Sequence, residues 1–299
     1  MKIGILSFRP LHRRVSYEER RLKEEVLALG YRVRVYRIDR FLLFFDHDRA
    51  WIYYNGKPFR GCNVIITRPS VLDNVDLNVF IIKQFELMGM PVVNNYISIV
   101  RAKNKLRTAQ ILRHHNIPIP ATAVLRRLED FDMAIKKVKG IPLIMKKVSG
   151  SLGKGVMIVE SKRAANSTLD AFWNDEGSNL LLFQEYVKES KGEDTRVIVV
   201  GNKMLGGIVR KAKKGEFRSN LHLGGTGRKA EVTPEMTELS IKAAHALGLE
   251  IAGVDLLNTS RGPVVMEVNS NPGFEGFEQC TGINVAKEIV RYALSLAKK

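Results

Sequence analysis

With 299 residues, 45% of them hydrophobic and 26% charged, the chain is long enough for roughly two or three compact units, and no apolar run approaches the roughly eighteen residues of a membrane-spanning helix. Lysine and arginine total 48 against 31 acids, a net charge of +17, which calls for an anionic partner such as a nucleotide, an acidic peptide or a nucleic acid. Two isolated cysteines, Cys62 and Cys280, exclude a disulfide framework and a cysteine zinc site; with no small-residue cleavage site after the first apolar stretch, the expectation is a cytoplasmic protein that makes no membrane contact.

In chain order, KIGILSF at 2–8 reads as a buried strand, and Ser16 with Glu19 forms a capping box for a helix running to Leu29 and ended by Gly30. YRVRVYRI alternates strictly, as a half-buried strand does, and Asn55-Gly56 marks a hairpin within Trp51 to Phe59. NVIITRP, a helical pattern through Leu77, Phe80, Ile81, Phe85 and Leu87, and the short PVVNN give another strand–helix–strand unit. Strands alternating with helices predict an α/β first domain with a parallel sheet over 1–95. No Gly-x-Gly-x-x-Gly follows its first strand, so the usual dinucleotide fingerprint is missing.

A basic helix is expected over Ser98 to His115, carrying AKNKLRT, with IPIP as a rigid connector after it. A second α+β unit over 96–187 continues with strand ATAVL, a helix from Asp130 to Lys139, strand PLIMKKV, loop SGSLGKG, strand VMIVE, a helix and strand LLLFQEYV. Alternation puts Lys146 and Lys147 on opposite faces, so one points toward an interior or a cleft, and a buried lysine needs an anion. Gly150, Gly153 and Gly155 would let backbone N–H groups approach a phosphate, although Val156 and Met157 stand where a Walker motif has its lysine and hydroxyl.

The third unit, 188–299, opens with a hairpin turning at Gly201-Asn202 and runs into a polar loop, KKGEFRSNLHLGGTGRK. Arg210, Arg218, Ser219, Asn220 and His222 give this region donors for an anion; a simple solvated loop has the same composition. Thr233-Pro234 starts a helix to Leu247, and an amphipathic helix from Asn284 closes the chain. Between them GVDLLNTSRGPVVMEVN reads as a β-hairpin. Folded symmetrically about Arg261, it places Asp255 opposite Glu267, and Asn269 shares their face. Three oxygen ligands at one spot suit magnesium or manganese rather than zinc, and two carboxylates about 4 Å apart repel by roughly 4 kcal/mol unless a cation or proton intervenes. An ordinary hairpin with outward acids fits the same spacing.

Together AKNKLRT at 102–108, PLIMKKVSGSLGKGV at 142–156, QEYVKES at 184–190, FRSNLHLGG at 217–225, and GVDLL with MEVNSNPGFEG resemble the ATP-grasp superfamily, and more narrowly the RimK-type glutamate ligases, over nearly the whole chain. The resemblance implies an ATP-grasp fold, with two α+β lobes clasping ATP behind the first domain. It implies that Lys146 and Lys105 hold the ATP phosphates, that Glu185, Tyr186 and Val187 lie at the adenine hinge, and that Asp194 lies near the ribose. Arg218, Ser219 and Asn220 would complete the nucleotide site. Asp255, Glu267 and Asn269 would hold two magnesium or manganese ions, and Arg210 would steady the transferred phosphoryl group or acyl phosphate. The glycine loop would be a lid.

The implied reaction joins L-glutamate, through an acyl phosphate, to the C-terminus of small-subunit ribosomal protein six or to growing poly-α-glutamate, within a homotetramer. Related branches act on a deazaflavin or pterin coenzyme or on an amino-acid carrier protein. No nucleic acid is directly required. A basic ribosome- or nucleic-acid-binding protein with a degenerate nucleotide site is a reading of a different class, and aromatics do not interleave with the basic clusters as a single-strand platform needs.

Overall fold

The computed structural model describes residues 1–10, 12–70, 75–148, 155–173, 180–190, 192–213, 219 and 224–297, with the backbone alone at 76 and 77. Helix α1 (Tyr17–Ala28) lies between β1 (Lys2–Ser7) and β2 (Arg32–Arg37) in the chain; β3 (Phe41–Phe45), β4 (Ala50–Tyr54) and β5 (Lys57–Pro58) follow as a small separate sheet. Then come β6 (Val64–Arg68), α2 (Val75–Asn78), α3 (Phe80–Leu87) and β7 (Val92–Val93). The order β2-β1-β6-β7 is parallel throughout, the arrangement expected from alternating strands and helices. The capping box of Ser16 and Glu19 is present, and β4 turns into β5 at Asn55-Gly56, both in the left-handed conformation that such a tight turn requires. Strand β3 was not foreseen, because FLLFF lacks the alternation that marks a half-buried strand.

The single helix expected over Ser98 to His115 is two, α4 (Tyr96–Lys103) and α5 (Lys105–His114). Asn104 takes an extended conformation and its side chain accepts from the Arg107 N–H, so it caps the second helix and puts Lys105 at its first position. The next sheet is antiparallel: β8 (Thr122–Leu125), β9 (Leu143–Lys147), β10 (Val156–Val159) and β11 (Leu181–Glu185), in the order β10-β9-β11-β8, with α6 (Phe131–Lys137) and α7 (Lys162–Phe172) packed on it.

The third sheet comprises β12 (Glu193–Val200), β13 (Lys203–Lys211), β14 (Thr226–Lys229), β15 (Ile251–Thr259) and β16 (Gly262–Asn269), ordered β14-β13-β12-β15-β16. Helix α8 (Pro234–Ala246) follows β14, while α9 (Glu275–Thr281) and α10 (Val285–Leu296) follow β16. Strand β14 corrects the reading of TGRK as loop: it pairs with β13 at the sheet edge, a contact the local sequence does not announce. Helix α9 was likewise not foreseen.

This sheet has two different faces. Val197, Val199, Ala252, Val254, Leu256, Val265 and Val268 pack against α8 and Leu112 of α5. On the opposite face Ile198, Ile208 and Ile251 join Ile3, Ile5, Leu22, Phe274 and the apolar stripe of α10 in one core. The last helix of the chain therefore seals the first sheet onto the third. Further along the same strands that face turns polar, and there the candidate site begins. No helix among the described residues is long and apolar enough to cross a membrane.

Candidate active site

Asp255 is paired with Glu267, but not by a hairpin symmetric about Arg261. The strands close at Thr259 opposite Gly262, so the turn is the two residues Ser260 and Arg261, and a β-bulge between Asp255 and Leu256 then shifts the register by one residue. That shift decides the chemistry. Val265 packs against α8, and counting by twos from it would bury Glu267 on the same face. The extra residue at Met266 reverses the parity, so Glu267 and Asn269 join Asp255.

Asp255 is 1% exposed, so its charge must be offset by neighbouring side chains. Arg196, its register partner on β12, donates Nε to Oδ1 and Nη2 to Oδ2, both at 2.7 Å. Arg210 Nη2 adds a contact at 3.0 Å to Oδ2, and the Asn269 amide donates to the same oxygen at 3.4 Å. Arg210 is itself buried and donates Nε and Nη2 to the two Asp194 oxygens at 2.7 Å, while Ser219 donates its hydroxyl to Asp194 Oδ2. Burial would raise the Asp255 carboxyl, but the two guanidiniums outweigh it and hold the group below the usual carboxylate value. Asp194 shares only Arg210, and burial pushes it up. Burial works against the Arg210 charge as well, yet Asp255 and Asp194 together raise its pKa. The ribose position implied for Asp194 competes with this pairing, since both its oxygens are engaged.

Across the cleft, Lys146 on β9 points inward and Lys147 is exposed beside the Phe172 ring, as strand alternation requires. Lys146 Nζ donates to Gln184 Oε1 at 2.6 Å, and the two line a small cavity of about 40 Å³ with Lys105, Thr108, Thr122 and Glu267. Burial pushes the Lys146 ammonium down to about 8, with Lys105 pushing the same way and Glu267 and Asp255 resisting. Beside this cavity Glu185, Tyr186 and Val187 line a cleft of about 650 Å³ with Ile119 and Pro263. Glu185 is fixed there by Lys139 and by the Ala121 N–H at 3.2 Å.

Lysines of one lobe thus face carboxylates of the next, with a hinge-side cleft adjoining, the charge pattern that a polyphosphate and a hard cation require. Among the described residues no group of three or more His, Cys, Asp or Glu gathers as a metal-only cage. Two carboxylates and an amide oxygen instead fit magnesium shared with substrate phosphates. The residues fit such an ion: among the described residues Asp255 Oδ1 is engaged only by Arg196 Nε, leaving it a lone pair, whereas Oδ2 is crowded by three donors.

Three further residues belong here that the motif reading passed over. Arg196 was legible in principle, lying two residues beyond Asp194 on the same strand face. Lys103 ends α4, and burial lowers its pKa while Glu267 resists. Gln184 is the partner of Lys146. Arg218, Asn220, His222 and the glycine loop at 150–154 lie outside the described residues.

The chain matches two family models end to end: a RimK PreATP-grasp domain over residues 1–99 and a RimK-like ATP-grasp domain over 102–293. It is 39% identical over 302 residues to a probable alpha-L-glutamate ligase of Shewanella sp. strain MR-4, covering 100% of this chain and 98% of that protein. Among solved structures, a RimK domain ATP-grasp protein from Sphaerobacter thermophilus superposes with a TM-score of 0.77 at 22% identity, covering 98% of this chain and 100% of that one. The ATP-grasp ligase PsnB, solved with a minimal precursor, Mg and ADP, gives a TM-score of 0.73 at 17% identity, covering 99% of this chain and 98% of that one. At these identities the two structures speak for the fold. The chain belongs to the RimK-like ATP-grasp family and is an ATP-dependent ligase.

Proposed function

We propose that the protein joins L-glutamate to an acidic acceptor through an acyl phosphate, the acceptor being the C-terminus of small-subunit ribosomal protein six or a growing poly-α-glutamate chain. The observation that carries this reading is the meeting of Lys146 and Lys105 with Glu267 around one cavity between two sheets. The 39% identity to a probable alpha-L-glutamate ligase over 100% of this chain supports glutamate as the added residue.

In this reading Lys146 and Lys105 bind the ATP phosphates, and Glu185, Tyr186 and Val187 receive the base in the adjoining cleft. Asp255, Glu267 and Asn269 would hold magnesium or manganese, which would supply positive charge to the phosphates. A carboxylate oxygen of the acceptor attacks the γ-phosphorus, the bond to the β-phosphate oxygen breaks, and ADP leaves. The amine of the incoming glutamate then attacks the acyl carbon, loses a proton, and expels inorganic phosphate. Arg210, buried and permanently charged between Asp194 and Asp255, steadies the transferred group through this frame. No side-chain nucleophile is needed. Units 1–95, 96–187 and 188–299 would be the leading α/β domain, the lysine lobe and the carboxylate lobe, in a homotetramer that light scattering would measure.

Incubation with ATP, magnesium and L-glutamate, read by ADP release and by mass spectrometry, tests this. Products growing in steps of one glutamate are expected. A product formed only with a pterin or deazaflavin acceptor would replace the proposed acceptor, and no ADP release with any amino acid would overturn the ligase reading.

A further inference from the structure

The small sheet of β3, β4 and β5 has one blunted edge and one open edge. Strand β5 is two residues long, and Phe59, just beyond it, donates its N–H to the Ile52 carbonyl at 2.8 Å, so Pro58 turns a nitrogen without hydrogen to the outside. At the other end of the sheet, β3 pairs with β4 alone among the described residues.

Parity along β3 fixes which groups the open edge offers. The Asn55 N–H donates to the Arg40 carbonyl at 3.0 Å and the Asp46 N–H to the Arg49 carbonyl at 3.1 Å, so the even-numbered residues bond β4. The backbone groups of Leu43 and Phe45 and the Phe41 carbonyl then face outward, while the Phe41 N–H closes the preceding turn on the Ile38 carbonyl. Leu42, Phe44 and Phe45 are 61%, 50% and 63% exposed. Arg49 covers the neighbouring Trp51, its guanidinium 3.7 Å from the ring centre, and Leu42 and Phe44 stay open. Edge strands are ordinarily kept apart by a charge, a proline or a bulge; β3 has none of these from Phe41 to Phe45.

The ends of the strand point to its partner. Laid antiparallel on the β3 of a second copy about a dyad at Leu43, each Leu43 N–H meets the other Leu43 carbonyl, and each Phe45 N–H meets the other Phe41 carbonyl. Leu42 then lies opposite Phe44. Just outside this apolar stretch, exposed Arg40 falls opposite Asp46, whose carboxylate is held in place by the N–H groups of Asp48 and Arg49 and by Trp51 Nε1. One register thus matches hydrogen-bond groups, apolar side chains and opposite charges together. We infer that β3 is a homodimer interface, through which two copies join their small sheets into one about a dyad at Leu43. With β5 blunted, the joined sheet offers no second open edge, so the contact closes at two copies. The inference rests on the homo-oligomer of the proposed function and adds the surface by which copies meet.

Light scattering on the full chain tests this, with thermal melting as the check on folding. The wild type is expected to be dimeric or tetrameric. Leu42→Glu with Phe44→Glu sets like charges opposite each other and should halve the mass, whereas Leu42→Lys with Phe44→Glu sets opposite charges there and should keep the wild-type mass. Phe45→Pro removes an outward N–H without breaking a bond to β4 and should also halve the mass. If the double variants lose cooperative melting, Phe45→Pro decides alone. A monomeric wild type would leave the edge to a strand of another protein and overturn the inference together with the homo-oligomer. An assembled wild type whose like-charge and proline variants keep its mass overturns the inference alone, as does a folded opposite-charge variant that dissociates. An assembled wild type that releases no ADP with any amino acid overturns the ligase reading and leaves this inference standing.

Discussion

Arg196 and Asp255 meet side-on across the β12–β15 pairing, Nε to Oδ1 and Nη2 to Oδ2, each at 2.7 Å. Two parallel charge-assisted bonds make Arg196 the resident counter-ion of a carboxylate that water does not reach. Arg210 makes a similar fork with Asp194 and reaches across to Asp255, so the polar half of this sheet face is a continuous ion network.

Glu267→Gln and Asp255→Asn are expected to lower turnover alike but stability differently. Each removes a charge proposed to hold magnesium, so kcat/KM should fall on the order of a hundredfold or more. Asp255→Asn also leaves Arg196 and Arg210 facing a neutral amide, a loss of about 3–5 kcal/mol, whereas Glu267 is half-buried and should be replaced with little change in melting. Thermal denaturation beside steady-state ADP release separates the two effects. Wild-type rates in Glu267→Gln would refute its role.

Lys146 gives a pH signature. Its folded value of about 8 lies below the free-lysine 10.5, so the charged form, the one proposed to bind phosphate, is lost as pH rises through about 8. In the nucleotide-free enzyme kcat/KM for ATP should therefore decline above pH 8, since that ratio reports the free enzyme. Lys146→Arg, which stays protonated, should flatten this limb, and Lys146→Ala should weaken ATP binding at every pH. For stability the sign is opposite: the unfolded chain holds this proton up to 10.5, so the free protein gains stability as pH rises from about 8 toward 10.5. ATP, supplying the missing anion, should suppress that gain in a melting series.

Asn94 is 1% exposed and uses its whole amide. Its Nδ2 donates to the Ile251 and Ser270 carbonyls at 2.7 and 2.9 Å, and its Oδ1 accepts from the Glu250 and Ile251 N–H groups, both at 2.9 Å. Asn94→Leu strands these backbone groups and is expected to cost about 3–5 kcal/mol. Denaturant melting checks this; a midpoint within error of wild type would show that the backbone finds other partners.

Gly253 lies between Ile198 and Asn269 in the sheet, and a Cβ there would meet Pro272 Cβ at 2.9 Å. Gly253→Ala must push the 270–272 loop away from the cleft. We expect a loss of about tenfold or more in kcat with smaller change in the KM for ATP, because the displaced loop does not line the cavity or the cleft proposed for ATP. Equal losses in both parameters would place the effect elsewhere.

Local signals settled much of this protein. The Ser16–Glu19 box, the Asn55-Gly56 turn and the Thr233-Pro234 helix start are each complete within a few residues, and alternation of strands with helices sufficed for the first, parallel sheet, whereas the two lobes that follow were implied by the family resemblance. The lysine and carboxylate motifs were legible because their residue types and spacings are distinctive in the chain. Pairing between distant segments was not. Whether Glu267 faces α8 or the cleft depends on a bulge that no residue of the hairpin advertises, and the expected pairing with Asp255 emerged from a different turn. Which acid Arg196 and Arg210 would hold, and that Arg68 reaches the Pro272 carbonyl, depended on strand order across the whole chain. Local chemistry is written in consecutive residues, but a site assembled from the ends of several strands exists only once register and parity have been fixed by packing.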